Sequence, residues 1–330
     1  MEIEVLGWLA VRVNGVSVVP TAPKPRRVLG LLALHPDQVV PVSALVEELW
    51  GALPPRSART TLQTYVLQLR ELIGTALAAP VPHRPDGTAD TDADARDTAD
   101  AGDTADAGDT ADAGDGAGAG VGAGAGAGGG GAGGGDGGRL GAKDVLATVA
   151  GGYLLRTGGG TVDHREFERR AGAGYRAMDA EDYAGAARRL AGALCLWNGP
   201  ALSGVQAGSQ IEMETRRLEE ARLCALAQRI DADLHLGRHR ELLPELTVLV
   251  NQHRMHESLH GQFMVALHRA GRRGEALDVY QRLRTTLVTE LGLEPSAPLG
   301  RLQRSILTAR PDHTPLPAPG TPPQLTTRPA

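Results

Sequence analysis

A chain of 330 residues has room for two domains, each with its own hydrophobic core. The opening MEIEVLGWLAV has neither a basic leader nor an unbroken apolar stretch, and no run approaches the roughly 18 residues of a membrane span, so a soluble cytoplasmic protein without membrane contact is expected. The formal net charge of −5 argues against a nucleic-acid partner only until it is divided. Residues 86–136 hold twelve Asp and one Arg, a contribution of −11, so the rest of the chain carries +6. Residues 1–85 alone hold eight basic and six acidic side chains. The two cysteines, Cys195 and Cys224, lie in helical, apolar-rich patterns and read as buried free thiols of a reducing compartment.

The first twenty residues alternate in short runs: Ile3 and Val5, then Leu9, Val11 and Val13, then Val16 and Val18. Asn14-Gly15 between two such runs predicts a tight type I′ hairpin in a small antiparallel sheet. From Lys24 the period becomes helical. Val28, Leu31 and Leu32 face inward on a first helix ending near His35-Pro36, and Leu45, Val46 and Leu49 on a second that starts about Ser43. Pro54-Pro55 break the pattern, and Ser57 is placed to cap a third helix running to Ile73.

Residues 86–136 have nothing to offset the entropy of ordering. The hexad DTADAG runs three times from Asp97 to Gly114, followed by a Gly/Ala tract, which reads as a disordered insert. Its G-x-G-x-x-G matches have no strand before them and no helix after, so no dinucleotide site is expected. DVLATVAGGYLLRTG then predicts a second hairpin around Gly151-Gly152. From Asp163 to about Thr308 the pattern is helical. GRHRE at 237–241 and GRRGE at 271–275 stand 34 residues apart, the period of tetratricopeptide helix pairs. After Pro311 the tail is Pro/Thr-rich.

The third helix carries the most information. Ala58, Leu62, Val66, Leu69 and Ile73 form an apolar stripe that must meet the core. The opposite face presents Arg56, Ser57, Thr60, Gln63, Thr64 and Gln68, flanked by Arg59 and Arg70, and residues 54–70 contain no acid. These side chains suit a DNA major groove: Arg toward guanine, Gln toward adenine, Ser and Thr toward phosphates or either base. Lys24, Arg26 and Arg27 at the start of the first helix, and Arg156 in the second hairpin, are candidate phosphate contacts. Sheet, three helices with the polar one last, then a hairpin is the order of a winged helix. HESLH at 256–260 fits the H-E-x-x-H zinc-peptidase pattern, but no third ligand follows at a suitable place, so neither metal site nor enzyme is expected, and no cofactor.

The segments VLGWLAVRVNG, KPRRVLGLLALHPDQVV, ARTTLQTYVLQLRELIG and GGYLL, then VDHREFERR, ALCLWNGPAL, GRRGEALDVYQRLRTTL and ELGLEP, resemble those of the Streptomyces antibiotic regulatory proteins. That resemblance implies an α+β winged helix-turn-helix domain of the OmpR type over 1–85 and 139–158, interrupted by the insert at 86–138. It implies an all-α, tetratricopeptide-like bacterial transcriptional activator domain over 161–308, with a disordered tail at 311–330. It also implies a transcriptional activator of an antibiotic gene cluster, acting at the nucleoid. Such a protein binds direct repeats in double-stranded promoter DNA as a homodimer and contacts RNA polymerase, including its sigma factor. The rival readings are a tetratricopeptide-type scaffold whose winged helix contacts protein rather than DNA, and a zinc peptidase built on His256, Glu257 and His260.

Overall fold

In the computed structural model, residues 1–80 and 141–308 are described. The expected insert at 86–138 and tail at 311–330 lie outside them. Strands β1 (Glu2–Glu4), β2 (Ala10–Val13) and β3 (Val16–Ser17) form an antiparallel meander in which Ile3 faces Val11 and Val13 faces Val16. Asn14 and Gly15 take φ of 51° and 79°, the two positive values that a type I′ turn requires.

Helix α1 (Pro23–Leu34) begins with prolines in its first turn, where their missing N–H groups would have had no helical partner. Val28, Leu31 and Leu32 are buried as the pattern requires. A short strand, β4 (Val39–Pro41), leads into α2 (Val42–Trp50), and α3 (Ala58–Ala78) follows the Pro54-Pro55 break. Helix α3 is longer than the pattern predicts, continuing past Ile73 and burying Ala76 as well. Ser57 stands at the N-cap position, but its side chain makes no capping bond. Its backbone (φ −84°, ψ 5°) is nearly helical rather than extended, which turns the hydroxyl away from the first-turn N–H groups.

The chain re-enters through a short helix, α4 (Ala142–Val145), and the hairpin of β5 (Leu146–Val149) and β6 (Gly152–Leu155). Strand β6 also pairs with β4, giving the order β4-β6-β5. Gly152 is therefore a strand residue and not part of the turn. A Cβ there would overlap the Val40 carbonyl oxygen, so only glycine lets β4 pass this closely. Strand β7 (Thr161–Val162) then returns beside β1, in parallel, so the first sheet is not purely antiparallel as the sequence suggests.

The remainder is helical: α5 (Asp163–Asp179), α6 (Tyr183–Leu194), α7 (Ser209–His235), α8 (Leu243–Gln252), α9 (Glu257–Arg269), α10 (Arg273–Leu291) and α11 (Ala297–Thr308). Helix hairpins α7/α8 and α9/α10 turn at Gly237 and Gly271, with φ of 77° and 79°. In both turns the following N–H reaches back five residues, Arg238 to the Asp233 carbonyl and Arg272 to that of Leu267. A third turn of the same form joins α5 to α6. There Glu181 holds φ 58° and the Asp182 N–H bonds the Ala177 carbonyl. The same turn thus occurs three times, once with a glutamate in the glycine position.

Two apolar clusters organise these elements. One runs without a break from Ile3 and Leu32 through Leu62 and Leu155 to Phe167, Leu190 and Ile211; the other joins Ile230 and Leu246 to Phe263, Leu283 and Leu299. The winged helix therefore shares its core with α5, α6 and a face of α7 that runs from Ile211 to Ala232, while Ile230 and Leu234 of the same helix belong to the second cluster. Cys195 and Cys224 are exposed, contrary to the reading of buried thiols: Cys195 follows the end of α6, and Cys224 lies on α7 to one side of the buried Leu218 and Ala225. Among the described residues no helix is long and apolar enough to cross a membrane.

Candidate nucleic-acid interface

Helix α3 has two faces of opposite character. Ala58, Leu62, Val66, Leu69 and Ile73 are buried, whereas Arg56, Ser57, Arg59, Thr60, Gln63, Thr64 and Gln68 are all solvent-accessible on the other side or in the turn that leads into it. Arg56 and Arg59 have no hydrogen-bonded or ion-paired partner among the described residues, so their donor groups are free for a ligand. Thr64 turns its hydroxyl onto the Thr60 carbonyl, 3.2 Å away, which leaves its oxygen able to accept. Leu67, 55% exposed, lies between Gln63 and Gln68 on the same surface and is absent from the residues the sequence singles out. A signal for it exists: Leu67 falls off the 62-66-69-73 stripe, and an apolar side chain there suits a thymine methyl group.

The other predicted residues are placed differently. Arg70 is only partly exposed and donates to the Leu146 carbonyl from Nε (3.0 Å) and Nη2 (2.8 Å), and to the Thr148 hydroxyl (2.8 Å). It is a strut between α3 and the outer hairpin strand. Arg156 is exposed, but at the end of β6 remote from the hairpin turn, where its own N–H bonds the Val145 carbonyl. Lys24 is exposed and sits over the Trp50 ring, 5.3 Å from the centroid. Arg26 donates to the carbonyls of Pro20, Thr21 and Gly204, and Arg27 to the Glu48 carbonyl and the Gln206 side chain. The structure thus gathers seven of the twelve on one face of α3 and the turn that leads into it, with Arg70 behind them. It commits Arg26 and Arg27 to the junction with the 204–206 loop.

That junction contains a residue sequence reasoning missed. Glu48 is 1% exposed, and its carboxylate accepts the N–H groups of Gly208 (2.5 Å), Gln210 (2.9 Å) and Ile211 (3.1 Å) at the start of α7. Helix N-termini leave four N–H groups unpaired and carry partial positive charge, which is what stabilises a buried carboxylate here. Asp163 acts in the opposite direction, accepting the N–H groups of Val5 (2.7 Å) and Leu6 (2.8 Å). Burial raises the Asp163 pKa even though these bonds favour its charged form. The carbonyls of Leu6 and Val5 in turn accept from the N–H groups of Asn198 and Leu202. Nothing in the local sequence marks Glu48, because its partners lie about 160 residues away.

The HESLH segment has a structural occupation. His256 is the N-cap of α9, its Nδ1 accepting the Leu259 N–H at 3.3 Å, and the buried His260 directs Nδ1 to the His256 carbonyl at 3.1 Å. Glu257 accepts the Ser296 N–H at 2.8 Å. The two rings and the carboxylate therefore hold α9 and the start of α11, and no group of three or more His, Cys, Asp or Glu is gathered as metal ligands among the described residues.

Comparison with known proteins agrees with this architecture. Residues 17–82 match the C-terminal domain of transcriptional regulatory proteins, and residues 162–307 match the bacterial transcriptional activator domain. Regulatory protein DnrI of Streptomyces peucetius is 44% identical over 311 residues, an alignment covering 94% of this chain and 93% of DnrI. Regulatory protein AfsR of Streptomyces griseus is 29% identical over 87% of this chain, which spans 22% of AfsR. The solved structure of Mycobacterium tuberculosis EmbR, in complex with a low-affinity phosphopeptide, superposes with a TM-score of 0.68 at 26% identity, over 93% of this chain and 64% of EmbR. The chain belongs to the Streptomyces antibiotic regulatory protein family, transcriptional regulators that join an OmpR-type winged helix to a bacterial transcriptional activator domain.

Proposed function

We propose that this regulator is a sequence-specific DNA-binding activator of a secondary-metabolite gene cluster, with α3 as the helix that enters the major groove. The observation that carries the proposal is the outer face of α3 and the turn before it: seven accessible Arg, Ser, Thr and Gln side chains, no acid between residues 54 and 70, and a buried apolar stripe behind. Gln63 and Arg59 are assigned to base edges, Thr60, Thr64 and Ser57 to phosphates or bases, and Leu67 to a thymine methyl. The winged-helix domain comprises residues 1–85 and 139–158, and the activator domain residues 161–308. Two copies occupy a direct repeat, and the helical half engages RNA polymerase and its sigma factor. The family comparisons support a regulator and not an enzyme.

Footprinting of the purified protein on the promoters around its own gene tests this reading. Protection of a repeated sequence, lost with Arg59→Ala and Gln63→Ala together, is the expected result. Protection that survives both changes would move the reading surface elsewhere. The rival scaffold reading predicts weak DNA binding with little dependence on salt, whereas phosphate neutralisation makes affinity fall steeply as salt rises.

A further inference from the structure

Apart from α3, residues of α8, α9 and α10 line an open cavity of about 360 Å³ whose charges do not cancel. Arg272 and Glu275 neutralise each other in a bidentate pair, at 2.7 and 2.6 Å. Arg254, by contrast, has no hydrogen-bonded or ion-paired partner among the described residues, and Arg282 reaches only the Asp278 carbonyl, through Nε at 3.4 Å. Two guanidinium groups therefore keep most of their donors for an anion. Phe263 and Val279, both buried, supply an apolar wall.

His260 adds a third requirement. It lines the cavity and is 6% exposed. Its Nδ1 lies 3.1 Å from the His256 carbonyl, which can only accept, so the proton sits on Nδ1. Burial holds the ring's pKa below the usual histidine value, the charge of Arg282 adds to the effect, and the hydrogen bond to the His256 carbonyl opposes it. Nε2 is then an acceptor, and it has no partner among the described residues. A ligand for this cavity must bring negative charge, an apolar group and a hydrogen-bond donor together.

We propose that the cavity is a docking site for an acidic peptide segment of a partner protein. Carboxylate side chains meet Arg254 and Arg282, an apolar side chain covers Phe263 and Val279, and a backbone N–H reaches Nε2 of His260. An inorganic anion would leave the apolar wall bare. The space is that of a few side chains, too small for a nucleic-acid duplex. The proposal stands independently of the DNA-reading face, which uses other elements.

The test is fluorescence anisotropy of the full chain with a short fluorescein-labelled peptide of Asp, Glu and Leu. The expected result is saturable binding, weakened roughly tenfold or more by Arg254→Ala with Arg282→Ala. Both residues are exposed, so circular dichroism and DNA binding should be unchanged in that variant. Replacing the peptide's Leu by Ser should weaken binding as well, since the wall is then unused. Unchanged affinity in the double variant would overturn the proposal. So would equal binding of the Ser peptide, which would mean a merely ionic surface, or displacement of the peptide by non-specific duplex DNA.

Discussion

Arg70 fastens the candidate reading helix to the hairpin beside it, donating twice to the carbonyl of Leu146, at 3.0 and 2.8 Å. Leu146 is fully buried, so its carbonyl would have few other partners. The helix pattern alone puts residue 70 at the DNA, whereas its geometry makes it a brace that fixes where β5 lies relative to α3.

Arg70→Ala should therefore cost about 1–3 kcal/mol of stability, since a charge-assisted bond is lost and a buried acceptor is stranded. DNA affinity should fall while the preferred sequence stays the same, because the hairpin loosens and the base-reading residues remain. Urea denaturation and binding to sequence-randomised duplexes check both halves. A shifted base preference would place Arg70 back among the reading residues.

The Glu48 carboxylate is the clasp between the winged helix and α7. Glu48→Ala leaves three N–H groups at a buried helix end without an acceptor and should lower stability by about 2–4 kcal/mol. Glu48→Gln keeps one acceptor oxygen and should lose less. Thermal unfolding measures the series, and three equal midpoints would mean that the clasp contributes nothing.

Acid should weaken the fold over a definite range. His164 is buried, and burial above all pulls its pKa down to about 4; Arg165, Arg217 and His35 add to this and Glu168 opposes it. The folded state then binds fewer protons than the unfolded one between about pH 6.5 and 4. The stability that the neutral ring contributes is fully present above that range and is lost as pH falls through it. The total is about 3 kcal/mol. Buried His260 acts in the same direction, while Asp163, with its raised pKa, acts in the opposite one. His164→Leu should flatten the pH dependence of denaturant midpoints between about pH 7 and 4. An unchanged slope would assign the effect to other groups.

What the sequence made legible was local. The Asn14-Gly15 turn, the two faces of α3 and the hairpin at Gly151 follow from periodicity and turn chemistry over a few residues. Features that depend on distant partners were not legible. Arg26 and Arg27 look like any basic helix start until the 204–206 loop arrives, and Glu48 resembles a surface acid until α7 is placed on it. The first of the three helix-pair turns is hidden in the sequence because Glu181 adopts the left-handed conformation usually taken by glycine, so no glycine marks it.

The assignment of α3 to the major groove is tested most directly by equilibrium binding of the wild type, Arg59→Ala and Gln63→Ala to a footprinted repeat and to a scrambled duplex, over a range of salt. Each substitution should cost about 1–3 kcal/mol on the repeat, with much less lost on the scrambled duplex. Wild-type affinity should fall steeply as salt rises. Unchanged affinity of both variants for the repeat, or wild-type binding indifferent to salt, would contradict the assignment.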